Sequence, residues 1–477
     1  MLNLSFLSGL ALASLASANM RAYPQVGEKH FSQTFHDGYN ILKYMSSLAP
    51  YSDRKAYGVG RNTPDGCEVD QAFMIMRHGE RYPDYSGFGD LYVETLNQMR
   101  ANVTTFNGDL AFMNEWTYYV PDSNLYSQES TTGPYAGLLD ASSRGSEYRA
   151  RYGHLWDGQS VVPIFTSGYE RVIETARYFG QGFFGYNYST SAAINIIPEA
   201  ATQGANSLTP TCAAGVLEEY SCYEDRFYST FPPLEVAAAR LNKQNPGLEL
   251  TAKDVNYLMQ MAGFELNVRA YTPWANAFTL DEWVAFSYIF DLSYYYCFGP
   301  GSNYQMANGQ VYANATRVLM EEGPEKSGSM FWSFAHDANI TPVIAALGLD
   351  TPAQHLPNDT VQFPSTYQVS DIVPMGGHLT LERMTCNATV ASKAGVYVRA
   401  VINEAVVPWT SCQSGPGYSC PLAKFSAIVD KAPKFDETCE TNSSYPQYLD
   451  FFWNYNTTTN LNYQTGDISS QLTDTDV

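Results

Sequence analysis

Positively charged side chains are scarce in this sequence of 477 residues. It has 27 Lys and Arg against 48 Asp and Glu, a formal net charge of −21, and only 7 His. So acidic a chain is repelled by nucleic acid and by anionic membrane surfaces, and we expect neither as a partner. If its substrate is an anion, the binding site must be a local positive patch.

Several common catalytic and metal-binding motifs are missing as well. The sequence has no H-E-x-x-H motif, no P-loop, no G-x-S-x-G elbow and no C-x-x-C pair. After residue 18, no stretch approaches the roughly 20 apolar residues of a membrane-spanning helix. No internal repeat or low-complexity block is found. With 14% aromatic residues, the composition is that of a globular protein, and its length suggests about two or three domains.

The N-terminus is typical of a secreted protein. Residues 1–18 are predicted to be a signal peptide, because an apolar run over 4–15 precedes the cleavage pattern Ala16-Ser17-Ala18. Asn-x-Ser/Thr sites recur along the rest of the chain. Those expected to carry glycans are Asn102, Asn187, Asn314, Asn358, Asn387, Asn442 and Asn456. We therefore expect a secreted glycoprotein, extracellular or in a cell wall.

The eight cysteines form an even set without zinc-ligand spacing. Disulfides are therefore expected rather than a metal site. Their connectivity is open from spacing alone, although the separation of eight residues from Cys412 to Cys420 suits a local loop.

The apolar pattern predicts an α/β fold, with a central, mostly parallel sheet flanked by helices and a smaller, mainly α-helical domain inserted in it. Continuous apolar runs at 72–76, 161–165 and 330–334 suit strands buried on both faces, and 376–384 and 396–401 continue the sheet. Helical patterns cover 90–115, 145–158, 170–179, 233–243, 251–262, 280–297 and 308–322. The predicted parts are an N-terminal arm at 19–66, an α/β domain at 67–200 and 326–460, a helical domain at 201–325 and a flexible tail at 461–477.

A cluster of charged residues follows the first buried strand. The block R-H-G-E-R-Y-P spans 77–83 and contains Arg77, His78 and Arg81. A guanidinium group can donate two parallel hydrogen bonds to two oxygens of one phosphate. Open parallel sheets bind ligands at the carboxyl ends of their strands. The other two buried strands end near Arg171 and near His336 and Asp337. If the three strands are neighbours, these side chains converge on one pocket.

R-H-G-x-R-x-P with a downstream His-Asp resembles the histidine acid phosphatase family, in the branch of secreted yeast and fungal acid phosphatases and phytases. The resemblance covers most of the mature chain. It implies that His78 is the nucleophile of a phosphohistidine mechanism and that Asp337 protonates the leaving alkoxide. The residues implied to hold the phosphate are Arg77, Arg81, Arg171 and His336. It implies no metal and no other cofactor.

The same resemblance implies the disulfides Cys67–Cys386, Cys412–Cys420 and Cys212–Cys439, which leaves Cys222 and Cys297. It also implies small phosphomonoester substrates such as phytate, inorganic phosphate as product, and a homo-oligomer clasped through the N-terminal arm. Because a carboxylic acid titrates near pH 4, a protonated Asp337 predicts activity at roughly pH 3–6.

Three other functions remain open. A phytate-selective phytase is one, although residues 84–90 have no lysine to attract polyphosphates. A non-catalytic, phosphate-binding surface glycoprotein is another, and a phosphohistidine mutase the third. Several further polar residues are given structural roles. His36-Asp37 is expected at the surface or in an interface, His154 in packing and His378 in a structural role. Tyr294–Tyr296 are expected to pack in the core, Glu80 to lie at the rim of the pocket or support it, and Asn339 to be an unused glycan site.

Overall fold

The computed structural model describes residues 35–36, 39–56, 58–215, 231–269 and 271–457. The predicted signal peptide, the first third of the predicted arm, Asp37, Cys222 and the predicted tail lie outside these ranges. Within them, every helix is too short or too polar to cross a lipid bilayer.

A mixed β-sheet lies at the centre of the fold. After a small hairpin of β1 (Phe35–His36) and β2 (Tyr39–Asn40), the sheet strands are β3 Cys67–Arg77, β4 Val162–Ser167, β5 Ala192–Ile197, β6 Met330–Ala335, β7 His378–Cys386, β8 Gly395–Ile402, β9 Ala405–Val406 and β10 Cys420–Pro421. Their order is β10-β8-β7-β3-β6-β4-β5, with β9 paired to β8. Neighbours among β3, β6, β4 and β5 are parallel, whereas β7 is antiparallel to both β3 and β8. Five of the six longer strands therefore run in one direction, and the predicted α/β class is confirmed.

The helices connect and cover these strands. Those of eight or more residues are α1 Asp90–Asn102, α2 Gly137–Tyr152, α3 Glu170–Phe184, α4 Pro232–Gln244, α5 Ala252–Val268, α6 Leu280–Cys297, α7 Asn303–Glu322, α8 Asp337–Ala346 and α9 Leu422–Val429. Single helical turns occur at Tyr188–Ser191, Pro324–Ser327, Val369–Ile372 and Phe435–Thr438. Helices α5 and α6 begin at capping boxes on Thr251 and Thr279, which explains their sharp starts.

Both faces of the sheet are buried, which is why its strands are continuous apolar runs. On β3, Met74 and Met76 belong to a hydrophobic core shared with α2 and α3, whereas Phe73 and Ile75 belong to a second core on the opposite face. The second core includes side chains of α4 to α8. It also buries Ile41 from the described part of the N-terminal segment, so that part packs on its own chain.

Three disulfides have both cysteines within the described residues. Cys67–Cys386 links the first residue of β3 to the last residue of β7, which face each other in the strand register. The others are Cys212–Cys439 and Cys412–Cys420. These are the three pairs that the family resemblance implies. The expected partner of Cys297, Cys222, lies outside the described residues.

Candidate active site

The carboxyl ends of three adjacent parallel strands meet at one edge of the sheet. Because β6 lies between β3 and β4, the residues that follow these strands are brought together. A cavity of about 570 Å³ opens there. Its wall includes five of the predicted site residues, His78, Arg81, Arg171, His336 and Asp337. The sixth, Arg77, lies behind Asp337 rather than in the wall.

His78 is almost completely buried and its ring is fixed by its own loop. Ring atom Nδ1 lies 2.9 Å from the carbonyl oxygen of Gly79. Because a carbonyl only accepts hydrogen bonds, Nδ1 carries the proton and Nε2 presents its lone pair. Burial, followed by the positive charges of Arg77, Arg171 and Arg81, holds the pKa of His78 well below its usual range. The ring therefore stays neutral and nucleophilic under acidic conditions.

The backbone around His78 is held by a buried carboxyl group. Glu129 Oε1 accepts hydrogen bonds from the Gly79 amide, at 2.8 Å, and from the hydroxyl of Thr175. Burial raises the pKa of Glu129 to about 8, so this carboxyl group is protonated in acid. The loop also packs directly on the start of α2: a Cβ added at Gly79 would lie 2.8 Å from the Cα of Gly137. Glycine at both positions allows this close approach.

Asp337 is the first residue of α8 and is surrounded by donors. Its Oδ2 lies 2.7 Å from Nη2 of Arg77 and 2.6 Å from the hydroxyl of Tyr294, while the Ala338 amide donates to Oδ1 at 2.8 Å. Burial raises the pKa of this carboxyl group, but Arg77 and then the two hydrogen bonds lower it by more than burial raises it. The net result is a pKa below its ordinary value. Arg77 also donates to the carbonyls of Ser47 and Val373, at 2.5 and 2.9 Å.

The other two arginines form the positive wall of the cavity together with an acidic residue, Asp84. Asp84 Oδ2 lies 2.9 Å from Nη2 of Arg81, and its Oδ1 lies 3.6 Å from Nη1 of Arg171. Within the described residues, the buried Nε atoms of both arginines have no hydrogen-bond partner. Burial and the nearby charge of Arg81 lower the pKa of Arg171 to about 10, which leaves it protonated in acid. Unpaired buried donors of this kind favour an anionic ligand.

His336 projects from the end of β6 beside His78, with ring centroids 5.7 Å apart. Its Nε2 lies 3.0 Å from Oε1 of Glu199, which follows β5. Burial raises the pKa of Glu199, but the hydrogen bond and charge of His336 bring it below its usual value. The carboxylate of Glu199 therefore orients the His336 ring at the cavity.

The remainder of the cavity wall is uncharged and mixes polar with apolar residues. It includes hydroxyl and amide side chains, those of Ser207, Thr209, Thr211, Gln305, Asn308 and Asn339. Such groups suit the hydroxyls of a neutral leaving group. A glycan on Asn339 would occupy the cavity itself.

Four residues of the site were not predicted from the sequence: Asp84, Glu129, Glu199 and Tyr294. Asp84 follows the R-H-G-E-R-Y-P block directly, which is the one local signal among them. Conversely, His378 is buried against Tyr51, and Glu80 Oε1 accepts the Tyr51 amide at 2.8 Å. His154 is exposed and contacts the carbonyl of Val69 at the far end of β3.

Comparison with known proteins shows the family of this chain. Residues 68–403 match the family model described as histidine phosphatase superfamily (branch 2). The phytase PHO112 of Candida albicans is 40% identical, with 95% of this chain and 96% of that protein covered, and the acid phosphatase PHO1 of Komagataella pastoris is 35% identical, with 93% and 97% covered. The crystal structure of the phytase from D. castellii superposes with a TM-score of 0.80 at 34% identity, covering 88% of this chain and 92% of that one. This chain therefore belongs to branch 2 of the histidine phosphatase superfamily.

Proposed function

We propose that this chain is an acid phosphatase that hydrolyses phosphomonoesters through a phosphohistidine on His78. The observation that carries the proposal is the state of the His78 ring. Its Nδ1 donates to Gly79, and its pKa is depressed by burial and by three arginines, so that Nε2 offers a lone pair in acid. A nucleophile with this property, at the floor of a cavity with unpaired arginine donors, suits attack on phosphorus.

In the first step, Arg81, Arg171 and His336 hold the phosphoryl oxygens while Nε2 of His78 attacks phosphorus. The P–N bond forms, the P–O ester bond breaks, and Asp337 gives a proton to the departing alkoxide. In the second step, water attacks phosphorus and gives a proton back to Asp337. The P–N bond breaks, and His78 and inorganic phosphate are released. The arginine charges stabilise the transferring group, and the chemistry needs no electron transfer.

Arg77 acts from behind this arrangement. Its guanidinium is committed to Asp337 and to the carbonyls of Ser47 and Val373. We therefore propose that its part in phosphate binding is electrostatic: the charge of Arg77 offsets that of Asp337, which would otherwise repel the phosphoryl group.

The proposed substrates are small phosphomonoesters, with phytate among them. Support for phytate comes from the relatives named as phytases and from a cavity of about 570 Å³. The uncharged part of the cavity wall favours a broad range of substrates over selectivity for phytate, since a phytate-selective wall would need further positive charges.

Secretion as a glycoprotein is also proposed, on the signal-like N-terminus and the accessibility of the glycan acceptors. Asn102, Asn187, Asn358, Asn387, Asn442 and Asn456 are exposed, and Asn314 is half-buried. An oligomer formed through the N-terminal arm at 19–66 is a further proposal. Light scattering of the deglycosylated protein tests it, and a monomer alone would contradict it.

The deciding experiment measures phosphate release at pH 4.5, with EDTA present, from phytate and from an aryl phosphate. We expect His78→Ala to lower turnover by about a thousandfold or more, because the nucleophile is lost. The matched control is His154→Ala, which removes an exposed histidine at the far end of β3 and should leave turnover unchanged. Equal activity of His78→Ala and wild type would contradict the mechanism. Inactivity of wild type on both substrates would favour a phosphate-binding protein.

A further inference from the structure

The phosphate-binding arginines already have an anionic partner in the protein itself. Asp84 contacts Arg81 at 2.9 Å through one carboxylate oxygen and lies 3.6 Å from Arg171 through the other. The remaining terminal nitrogen of Arg81 donates to the carbonyl of Tyr82 at 2.8 Å. A bound phosphoryl group and the Asp84 carboxylate therefore compete for the same guanidinium groups.

The position of Asp84 is built into the loop. Its carbonyl accepts the amides of Phe88 and Gly89, at 3.2 and 2.8 Å, and so begins the helical turn Tyr85–Gly89. Its Oδ1 accepts the hydroxyl of Ser127 at 2.7 Å, and the Ser127 amide in turn donates to Pro83. The carboxylate is thus held at the cavity from two directions, which distinguishes it from a mobile surface group.

Charges in the cavity are nearly balanced as a result. The permanently cationic groups in the wall are Arg81 and Arg171, and the carboxylates in the wall are Asp84, Glu199 and Asp337. Glu199 pairs with His336 and Asp337 with Arg77, which leaves Asp84 as the carboxylate opposed to the two wall arginines. A single negative charge at this point offsets much of the attraction for the phosphate anion.

We infer that Asp84 is a specificity-determining residue that weakens the binding of phosphate to Arg81 and Arg171, and so favours release of the product over its retention. The inference rests on the proposed function of this site. It predicts an unusual result: removal of a side chain from the active site should strengthen the binding of inorganic phosphate.

The pH range of this effect follows from the groups around Asp84. Arg81 faces it from its own loop, Arg171 from the start of α3 and His336 from the end of β6, while Ser127 contributes a neutral hydrogen bond. Burial raises the pKa of Asp84, but the two arginines lower it by more, so that the net pKa is below the usual value of an aspartate. The carboxylate therefore competes with phosphate throughout pH 4–6, where phosphate is mainly a monoanion.

The test is calorimetric titration of inorganic phosphate into the full-length protein at pH 5. We expect Asp84→Asn to lower the phosphate Kd by about five- to tenfold relative to wild type, in line with one partly buried ion pair. The KM for an aryl phosphate should fall in parallel, without a rise in kcat. Asp84→Glu keeps the charge and should bind phosphate within about twofold of wild type.

A control for charge and a second variant at residue 84 make the result decisive. Glu94→Gln on α1 removes one negative charge from an exposed position and should leave the Kd unchanged. If Asp84→Asn does not fold, Asp84→Ser removes the same charge with a smaller side chain. An unchanged or weaker phosphate affinity in the folded variant would overturn the inference. Failure of wild type to turn over any substrate would instead overturn the proposed function, and leaves the comparison of Kd values readable.

Discussion

Tyr294 donates a hydrogen bond of 2.6 Å from its hydroxyl to Oδ2 of Asp337, the proposed general acid. Arg77 contacts the same oxygen, and the resulting pKa of Asp337 is below its usual value in spite of burial. Asp337 is therefore ionised in the ligand-free protein over most of the acidic range. An unperturbed carboxyl group that titrates near pH 4 therefore does not describe Asp337, which must acquire its proton when substrate binds.

Substrate itself provides a route for that proton. A phosphomonoester has a second pKa near 6, so at pH 4–5 it enters as a monoanion that still carries one proton. Its negative charge beside Asp337 also raises the pKa of this carboxyl group. An acidic optimum is thus expected from the protonation of the enzyme–substrate complex rather than from free Asp337 alone.

Tyr294→Phe tests this coupling. Loss of the hydroxyl removes a hydrogen bond that lowers the pKa of Asp337, so the pKa rises and the proton is kept to higher pH. We expect the alkaline limb of the kcat profile, which reports the enzyme–substrate complex, to move upward by about one pH unit, the equivalent of one charge-assisted hydrogen bond. The control is Tyr296→Phe, since that hydroxyl donates to the carbonyl of Leu356, at 2.8 Å. Superimposable profiles for Tyr294→Phe and wild type would show that Asp337 does not set this limb.

Asp337→Asn should separate substrates by their leaving groups. An alkoxide is a poor leaving group and needs a proton, whereas a nitrophenolate leaves readily without one. We expect about a hundredfold loss of kcat on an alkyl phosphate and a much smaller loss on p-nitrophenyl phosphate. Equal losses on both substrates would argue against Asp337 as the proton donor.

The packing of Gly79 on Gly137 gives a prediction about the His78 loop. A Cβ at residue 137 would lie 2.3 Å from the carbonyl oxygen of Glu80, so Gly137→Ala must displace this backbone. Such overpacking costs about 1–3 kcal/mol of stability, and a misplaced nucleophile loses about a hundredfold in rate. Thermal unfolding and kcat/KM should both fall.

Gly60→Ala serves as the matched control for that substitution, because a Cβ there meets no atom within 4 Å among the described residues. Wild-type kcat/KM in a folded Gly137→Ala protein would mean that the loop tolerates the shift.

The strands that carry the site could be predicted because burial on both faces leaves a simple signature. The runs at 72–76, 161–165 and 330–334 correspond to β3, β4 and β6. Their adjacency, which the sequence left open, is given by the structure, where β6 pairs in parallel with both β3 and β4. Helix α6 has the bounds 280–297 that its helical pattern predicts, and the capping box of Thr279 and Glu282 explains its sharp start.

The contacts that tune the site could not be read from the sequence, because they join residues distant along the chain. Tyr294 does pack in the core, as expected from its helical position, yet its hydroxyl reaches a residue 43 positions away. Strand β5 was missed since its apolar run is short, and Glu199, which follows it, was missed with it. Glu129 lies in an irregular segment without a local pattern, and burial alone gives it its role.

The buried acidic groups predict that this protein is most stable in acid. Glu129 has a folded pKa of about 8 against an ordinary value of 4.5, and burial likewise raises Asp53 to about 6 and Asp291 to about 7. Between the ordinary and the raised pKa, the folded state binds more protons than the unfolded state. The free energy of unfolding therefore decreases as pH rises through this window.

Glu382 has the opposite effect on the pH dependence of stability, because its pKa is lowered in the folded state. Burial raises the pKa of Glu382, but Arg61 and Arg399 lower it by more than burial raises it, to about 2. The stability that this ion pair contributes is present above pH 4.5 and is lost as pH falls toward 2. The two trends together place the expected maximum of Tm near pH 4–5, with a decline toward pH 8.

Glu129→Gln removes the group with the largest upward pKa shift of these three. Glutamine resembles the protonated carboxyl group and can still accept from Gly79 and Thr175, so activity at pH 4.5 should stay within about threefold of wild type. Because glutamine does not titrate, the decline of Tm between pH 5 and 8 should become shallower. Glu94→Gln, an exposed position on α1, should keep the wild-type slope. A wild-type Tm that increases from pH 5 to 8 would mean that Glu129 is ionised in the folded protein, and that its hold on Gly79 is that of a carboxylate.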